Sequence, residues 1–351
     1  MTRQTTVRVR NATTTELDLL DARLGVGSWS TPPPPPSIPP GAMVTFTNAA
    51  RGRFGSARGH VAYGIPGGRA TLDWDNPFVG RNTYRMDVEG SNAGCVCDGD
   101  GDDDDQDAVV TFTVVPSRRV TVRGFTPSQN GFGYTNSWSG EPLRRIDLKL
   151  ASIPIGKASN GLCGGMVFAA CDWFEAGRPI PDDRTSPPDG SVLRTYVVDR
   201  LIDSFDLPGG VVPYVTMMST RYPAHDREML ASIGHMASRA GVLARRTWPA
   251  VKERIDAGHP CPLGLVMVES DDPADLRHQH QVLAYAYWLR GTHLTMWVYD
   301  PNSPRDNRVT IAFDTARTDQ SIAVEHRVDA RGPLVCAFVP KYLAATPPSA
   351  A

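Results

Sequence analysis

The sequence has no long apolar run. None of its 351 residues belongs to a stretch approaching the roughly 18 consecutive apolar residues of a membrane-spanning helix. The opening Met1-Thr2-Arg3-Gln4-Thr5-Thr6-Val7-Arg8 has no apolar core of the kind a secretory signal requires. The expectation is a soluble chain without a signal peptide, cytoplasmic or released by another route. An excess of charge is also missing: 36 Lys and Arg stand against 38 Asp and Glu, for a formal net charge of −2. With this balance no basic stripe points to nucleic acid and no polybasic run to anionic lipid, and any membrane binding is expected to be specific rather than electrostatic. The six cysteines, Cys95, Cys97, Cys163, Cys171, Cys261 and Cys336, form no disulfide framework, and no pair has the two-residue spacing of a structural zinc site. Free thiols in a reducing compartment are expected. No HExxH occurs, so although His259, Cys261, His278 and His280 are types that bind zinc, no metal or other cofactor is expected.

What is present divides into two textures. From Thr6 to about Ser117, short segments of alternating apolar and polar residues are separated by Gly, Pro and Asn. Examples are Thr6–Arg10, Met43–Thr47 and Val109–Val115, none long enough for a helix. An antiparallel β-sandwich follows. Pro32 to Pro36 reads as a polyproline spacer in a loop. Asp98 to Asp107 alternates acids with glycines but lacks the terminal Glu of a calcium loop, and reads as a solvated hairpin tip.

Ala70-Thr71-Leu72-Asp73-Trp74-Asp75-Asn76-Pro77-Phe78-Val79-Gly80-Arg81-Asn82-Thr83-Tyr84 resembles a late strand and turn of the aegerolysin family. Val7–Asn11 and Gly25–Trp29 fit that family's early strands, and Gly52 to Gly68 is a loose counterpart of its Gly- and Ser-rich middle. The resemblance covers about the first third of the chain and implies a small sandwich that recognises membrane lipid, sphingolipid head groups in particular. The acidic insertion at Asp98 to Asp107 departs from it. The alternative is that Trp29, Trp74 and Phe78 are core residues of a passive appendage.

From Asn160 onward helices dominate, then strands. Asn160-Gly161-Leu162-Cys163-Gly164-Gly165-Met166 leads into an apolar run with Met166, Ala169, Ala170, Trp173 and Phe174 on one helical face. Cys163 would stand at a helix N-terminus, where unpaired N–H groups and the helix dipole favour the thiolate. Gly164 and Gly165 would leave the sulfur open to a substrate carbonyl, with the Cys163 N–H available to an oxyanion. Further helices are expected over Ser191–Phe205, Arg227–Ala240 and Thr247–Gly258, the first broken by Pro208-Gly209-Gly210. Strands are expected over Pro262–Glu269, Gln281–Trp288, Leu294–Tyr299 and Val309–Phe313, giving an α+β unit. The turn-rich stretch Gly124 to Trp138 is expected as an irregular cover.

The short link between Trp288 and Leu294 makes its flanking strands a hairpin, with His280 opening one strand and Asp300 closing the other. A three-residue turn would put the two on one face, and a two-residue turn on opposite faces. Together Cys163, His280 and Asp300 are the nucleophile, base and orienting carboxylate of acyl transfer. Their order, with the Cys-Gly-Gly helix start, the His280-Gln281-Val282-Leu283-Ala284-Tyr285 strand and Val298-Tyr299-Asp300-Pro301, resembles papain-like enzymes in their peptidase C39-like form, over about Gly124 to Pro340. That clan usually has an oxyanion-hole Gln six residues before the Cys; here the position is Lys157. Asn160 offers a side-chain amide in its place, and Asn302 is an alternative to Asp300.

The expected architecture is thus an aegerolysin-like sandwich over residues 1–117 and a papain-like α+β unit over 118–345. The expected function is a cysteine hydrolase of the peptidase or amidase type, with site residues Cys163, His280, Asp300 and Asn160, a peptide or amide substrate, and a sandwich that addresses lipid. The rival is an inactive papain-like binding protein, or a toxin or effector component that recognises membrane lipid, for which Lys157 is the main argument.

Overall fold

The computed structural model describes residues 3–30, 32–90, 92–99, 106–138, 144–148, 151–155, 161–205, 212–226, 238–316, 318, 320–326 and 334–349. Two five-stranded sheets form the N-terminal part. One contains β1 (Gln4–Asn11), β3 (Ser28–Ser30), β5 (Met43–Ala49), β9 (Ala93–Gly99) and β10 (Asp107–Pro116), in the order β3-β5-β1-β10-β9. The other contains β2 (Leu17–Val26), β4 (Ser37–Ile38), β6 (Ala57–Ile65), β7 (Gly68–Asn76) and β8 (Thr83–Glu89), in the order β4-β2-β6-β7-β8. Most pairings are antiparallel, but β1 and β10 run parallel, with Val7 beside Val110 and Val9 beside Phe112. Alternation along each strand directs Val7, Val9, Phe46, Val61, Leu72, Trp74, Val110 and Phe112 into a common core. Trp74 is fully inside, its indole N–H donating to Asn48 Oδ1 at 3.1 Å, and Trp29 packs on it and on Phe46.

The second core is larger and lies around an antiparallel sheet. Its strands are β11 (Arg119–Thr121), β14 (Cys261–Val266), β15 (His280–Arg290), β16 (His293–Tyr299), β17 (Thr310–Asp314), β18 (Glu325–His326) and β19 (Cys336–Phe338). The order is β18-β17-β16-β15-β14-β19, and β11 continues the β14 side of β15 beyond Tyr285. A separate hairpin pairs β12 (Arg144–Leu148) with β13 (Ala151–Ile155), a feature the sequence reading did not contain. The helices are α1 (Pro127–Asn130), α2 (Cys163–Glu175), α3 (Val192–Ser204), α4 (Val212–Met218), α5 (Arg239–Gly241) and α6 (Trp248–Asp256), with a wide π-type turn over Val242–Thr247. The helix expected at Arg227–Ala240 lies largely outside the described residues, as do Asp100–Asp105 of the acidic insertion. Among the described residues no helix is long and apolar enough to cross a membrane.

The Cys163 helix is not amphipathic as expected. Every residue from Gly164 to Trp173 is buried, because α2 passes between α3 and the sheet. The one carboxylate enclosed with it, Asp172, accepts hydrogen bonds from the Arg200 guanidinium, the hydroxyls of Tyr196 and Tyr342, and the Ala345 N–H. Each lone pair therefore has a donor, which offsets the cost of burying the charge. The same contacts fasten the C-terminal segment to α2 and α3.

The two cores share a wall. In β9, Cys95 and Cys97 point into the sandwich while Val96 between them points into the second core, and Val114 and Val115 of β10 divide in the same way. At the edge of β9, the Cys95 N–H donates to Gly291 O (3.1 Å) and the Gly291 N–H donates to Ala93 O (3.0 Å). The tip of the β15–β16 hairpin is thus held by the sandwich. Gly94 is required there, because a Cβ would lie 2.7 Å from Leu289 Cγ.

Candidate active site

Cys163 is the first residue of α2. Gly161 ahead of it adopts φ +58°, and the N-cap, Leu162, has no side chain to cap with. The cap comes from elsewhere: Asn136 Oδ1 accepts the Leu162 N–H at 2.6 Å and the Trp138 indole N–H at 3.0 Å. The Asn136 backbone N–H in turn donates to Pro301 O at 2.9 Å, beside Asp300. One asparagine therefore joins the segment before the cysteine to the turn that carries the carboxylate. Sequence reasoning missed it, since Asn136 lies 27 residues before Cys163 in a stretch read as irregular cover. The Leu162-Cys163 segment without its own capping side chain was the available signal.

Cys163 is half-buried, whereas Cys95, Cys97, Cys171, Cys261 and Cys336 are buried, and all six thiols are free. Burial pushes the Cys171, Cys261 and Cys336 thiols up to about 12. Gly164 and Gly165 serve packing rather than substrate access. A Cβ on Gly165 would lie 2.0 Å from Val197 O of α3, and one on Gly164 would lie 2.4 Å from Ser204 Oγ and 2.7 Å from Gln281 Nε2. The glycines let α2 approach α3 and β15 closely enough to bring Cys163 beside His280.

His280 begins β15 and is 8% exposed; Asp300 follows β16 and is 1% exposed. His280 Nε2 lies 2.8 Å from Asp300 Oδ1, and the Asn302 N–H donates to the same oxygen at 2.8 Å. Asn302 therefore braces Asp300 through its backbone, and does not replace it at the imidazole. The His280 carbonyl accepts from the Tyr214 hydroxyl at 3.3 Å, which fixes the backbone under the ring. Burial alone would push the imidazole pKa down, but the Asp300 charge and then Cys163, through charge and a side-chain hydrogen bond, outweigh it and raise the pKa to about 10. With Nε2 turned to Asp300, Nδ1 is the ring nitrogen left for the sulfur.

The hairpin turn has two residues, Gly291 and Thr292, with Arg290 opposite His293. That register alone would place His280 and Asp300 on opposite faces. A β-bulge reverses the outcome: Ala284 pairs with Val298 but Ala286 with Trp297, so Tyr285 is an extra residue. Continuing the shifted register puts Val282 opposite Asp300 and His280 two residues away on the same face. The bulge lies where the other neighbour of β15 changes from β14 to β11, and the Tyr285 carbonyl accepts the Val122 N–H at 2.8 Å.

Asn160 and Lys157 lie outside the described residues. The other histidines weighed as metal ligands are engaged elsewhere: His259 Nδ1 is 2.8 Å from Glu175 Oε2, and His278 Nδ1 is 3.2 Å from Asp275 Oδ1. Among the described residues no cluster of three or more His, Cys, Asp or Glu could hold a metal ion.

No family model matches the chain, and no curated protein matches it. Among solved structures it is similar to the lipid-binding protein Nakanori, at 14% identity and a TM-score of 0.30, over 33% of this chain and 72% of that one. It is similar to the RahU protein in complex with a Tris molecule, at 14% identity and a TM-score of 0.28, over 33% of this chain and 96% of that one.

Proposed function

We propose that the chain is a cysteine-dependent hydrolase of the peptidase or amidase type, built on a papain-like unit and directed to its target by the N-terminal sandwich. One observation carries this reading: a single imidazole, His280, is shared between the enclosed carboxylate of Asp300 at 2.8 Å and the thiol at the start of α2. In the proposed reaction the Cys163 sulfur attacks the substrate carbonyl carbon, and its proton resides on His280. The oxyanion of the tetrahedral adduct is met by the Cys163 N–H at the helix start. His280 then protonates the leaving amine as the C–N bond breaks, which leaves a thioester. Water activated by the same imidazole hydrolyses that thioester and regenerates the thiol. Asp300 holds the ring in place and stabilises its protonated form. Asn160 is proposed as a second oxyanion donor on sequence grounds alone. The sandwich is read as a lipid-addressing module, with sphingolipid head groups as the ligand suggested by the aegerolysin resemblance.

Iodoacetamide labelling across pH tests the catalytic reading. Cys163 should react faster than the buried Cys336, with a pH profile that His280→Ala removes. A Cys163 rate unchanged by His280→Ala would favour the rival, a papain-like binding protein without turnover.

A further inference from the structure

Two loops at one end of the sandwich present apolar side chains to water. Phe54, between β5 and β6, is 78% exposed; Val79, between β7 and β8, is 79% exposed; Phe78 beside it is 41% exposed. The two rings meet edge to face, with centroids 5.1 Å apart. The arrangement is built rather than loose. The Phe78 N–H donates to Ser56 Oγ at 3.0 Å, tying one loop to the other, and Arg3 Nη2 donates to Phe78 O at 3.2 Å. Gly52 (φ +85°) and Gly80 (φ +111°) supply the left-handed turns that lift the loops. Residues 51–56 carry Arg51 and Arg53 with no Asp or Glu, whereas Arg58, next along β6, is paired with Asp75 at 2.7 Å. Immediately behind, Arg58 and Arg85 with Asp73, Asp75 and Thr83 line a cleft of about 380 Å³ on the outer face of the sheet.

We infer that this tip is a membrane-docking surface for anionic phospholipid: Phe54, Phe78 and Val79 enter the boundary between head groups and acyl chains, and the exposed Arg51 and Arg53 meet lipid phosphates. Exposed apolar side chains held together by hydrogen bonds mark an interaction site rather than a core residue left outside. Side chains nearly four-fifths exposed protrude. A protein partner would have to supply a pocket cut to their shape, whereas the acyl boundary accommodates any ring. A basic loop without acids adds attraction to a negatively charged leaflet, although the whole chain is nearly neutral. The inference rests on reading the sandwich as a lipid-addressing module and names the surface and the lipid charge.

The test is co-sedimentation of the full chain with vesicles of phosphatidylcholine, of phosphatidylcholine with phosphatidylserine, and of phosphatidylcholine with sphingomyelin. Binding is expected to the phosphatidylserine vesicles, to weaken as salt rises, and to fall roughly tenfold in Phe54→Ser/Val79→Ser and in Arg51→Glu/Arg53→Glu. Near-ultraviolet circular dichroism and the melting temperature of both variants should match the parent, because all four side chains are exposed. Phosphatidylserine binding that survives the Phe54 and Val79 substitutions overturns the inference. Equal binding of parent and variants to the sphingomyelin vesicles, with no preference for phosphatidylserine, overturns it while sparing the lipid-addressing reading. Failure of the parent to bind any of the vesicles overturns both.

Discussion

Asn136 and Leu162 are joined by a 2.6 Å hydrogen bond one residue before Cys163, and the same asparagine reaches Pro301 through its backbone. In Asn136→Ala the buried Leu162 N–H loses its acceptor, which costs about 1–3 kcal/mol. Cys163 alkylation should slow by more than the loss of stability explains, and Asn136→Asp, which keeps the acceptor, should recover most of the rate. An unchanged alkylation rate in Asn136→Ala would remove the positioning role.

His280 gives stability a defined pH dependence. Its folded-state pKa is raised above the ordinary 6.5, so its contribution is complete below about pH 6.5 and is lost as pH rises through about 10. Urea unfolding of the parent and of Asp300→Asn should therefore differ most near pH 6, and the gap should narrow toward about pH 10. A gap that widens with pH would contradict the charged imidazole.

Gly165→Ala tests the close approach of α2 to α3. Its Cβ would sit 2.0 Å from Val197 O, backbone that cannot yield without moving α3. The expected cost is about 1–3 kcal/mol or more, measured by chemical unfolding, with slower Cys163 alkylation as the helix start shifts. Gly177→Ala, which meets no atom within 4 Å at φ +63°, separates backbone strain from crowding.

Asp172→Ala would leave the Arg200 guanidinium, 5% exposed, with the exposed Asp203 as its one remaining ion partner among the described residues. Breaking a buried pair from one side costs about 3–5 kcal/mol. Because Tyr342 and Ala345 donate to the same carboxylate, limited proteolysis should first cut residues 340–349 in this variant. Equal resistance of that segment in parent and variant would show that Asp172 does not fasten it.

Gly94→Val probes the shared wall. The new side chain would strike Leu289 and the Gly291 carbonyl, forcing β9 away from the hairpin tip. Two melting steps in place of one are expected by calorimetry. A single unshifted transition would show that the contact contributes little.

Much of this was legible because period and punctuation are local. The alternation at Thr6–Arg10, Met43–Thr47 and Val109–Val115 identifies β1, β5 and β10, and the apolar spacing over Ser191–Phe205 identifies α3. Cys163 could be placed at a helix start because glycines and an apolar run adjoin it. What failed depends on partners distant in sequence. Nothing in Met166–Phe174 itself says that α2 is enclosed on every side, since that follows from α3 and the sheet. In sequence Gly164 and Gly165 signal open space, but Val197, Ser204 and Gln281 fill it. Asn136 acts on Leu162 across 26 residues, and the exposed apolar tip joins Phe54 to Phe78 across 24, so neither is visible as a motif.

The extra residue at Tyr285 makes the hairpin a matter of parity. Insertions between Arg290 and His293 lengthen the turn but leave every rung of the ladder in place, so the far end is indifferent to them. Removing Tyr285 inverts the phase of the strand ahead of it, sending the imidazole through to the other side of the sheet together with Val282 and Ala284. Loop length at the tip is therefore free to drift, whereas the count of residues within the strand is not, and a homologue that lacked the bulge would need an odd compensating change elsewhere in the hairpin to keep imidazole and carboxylate together.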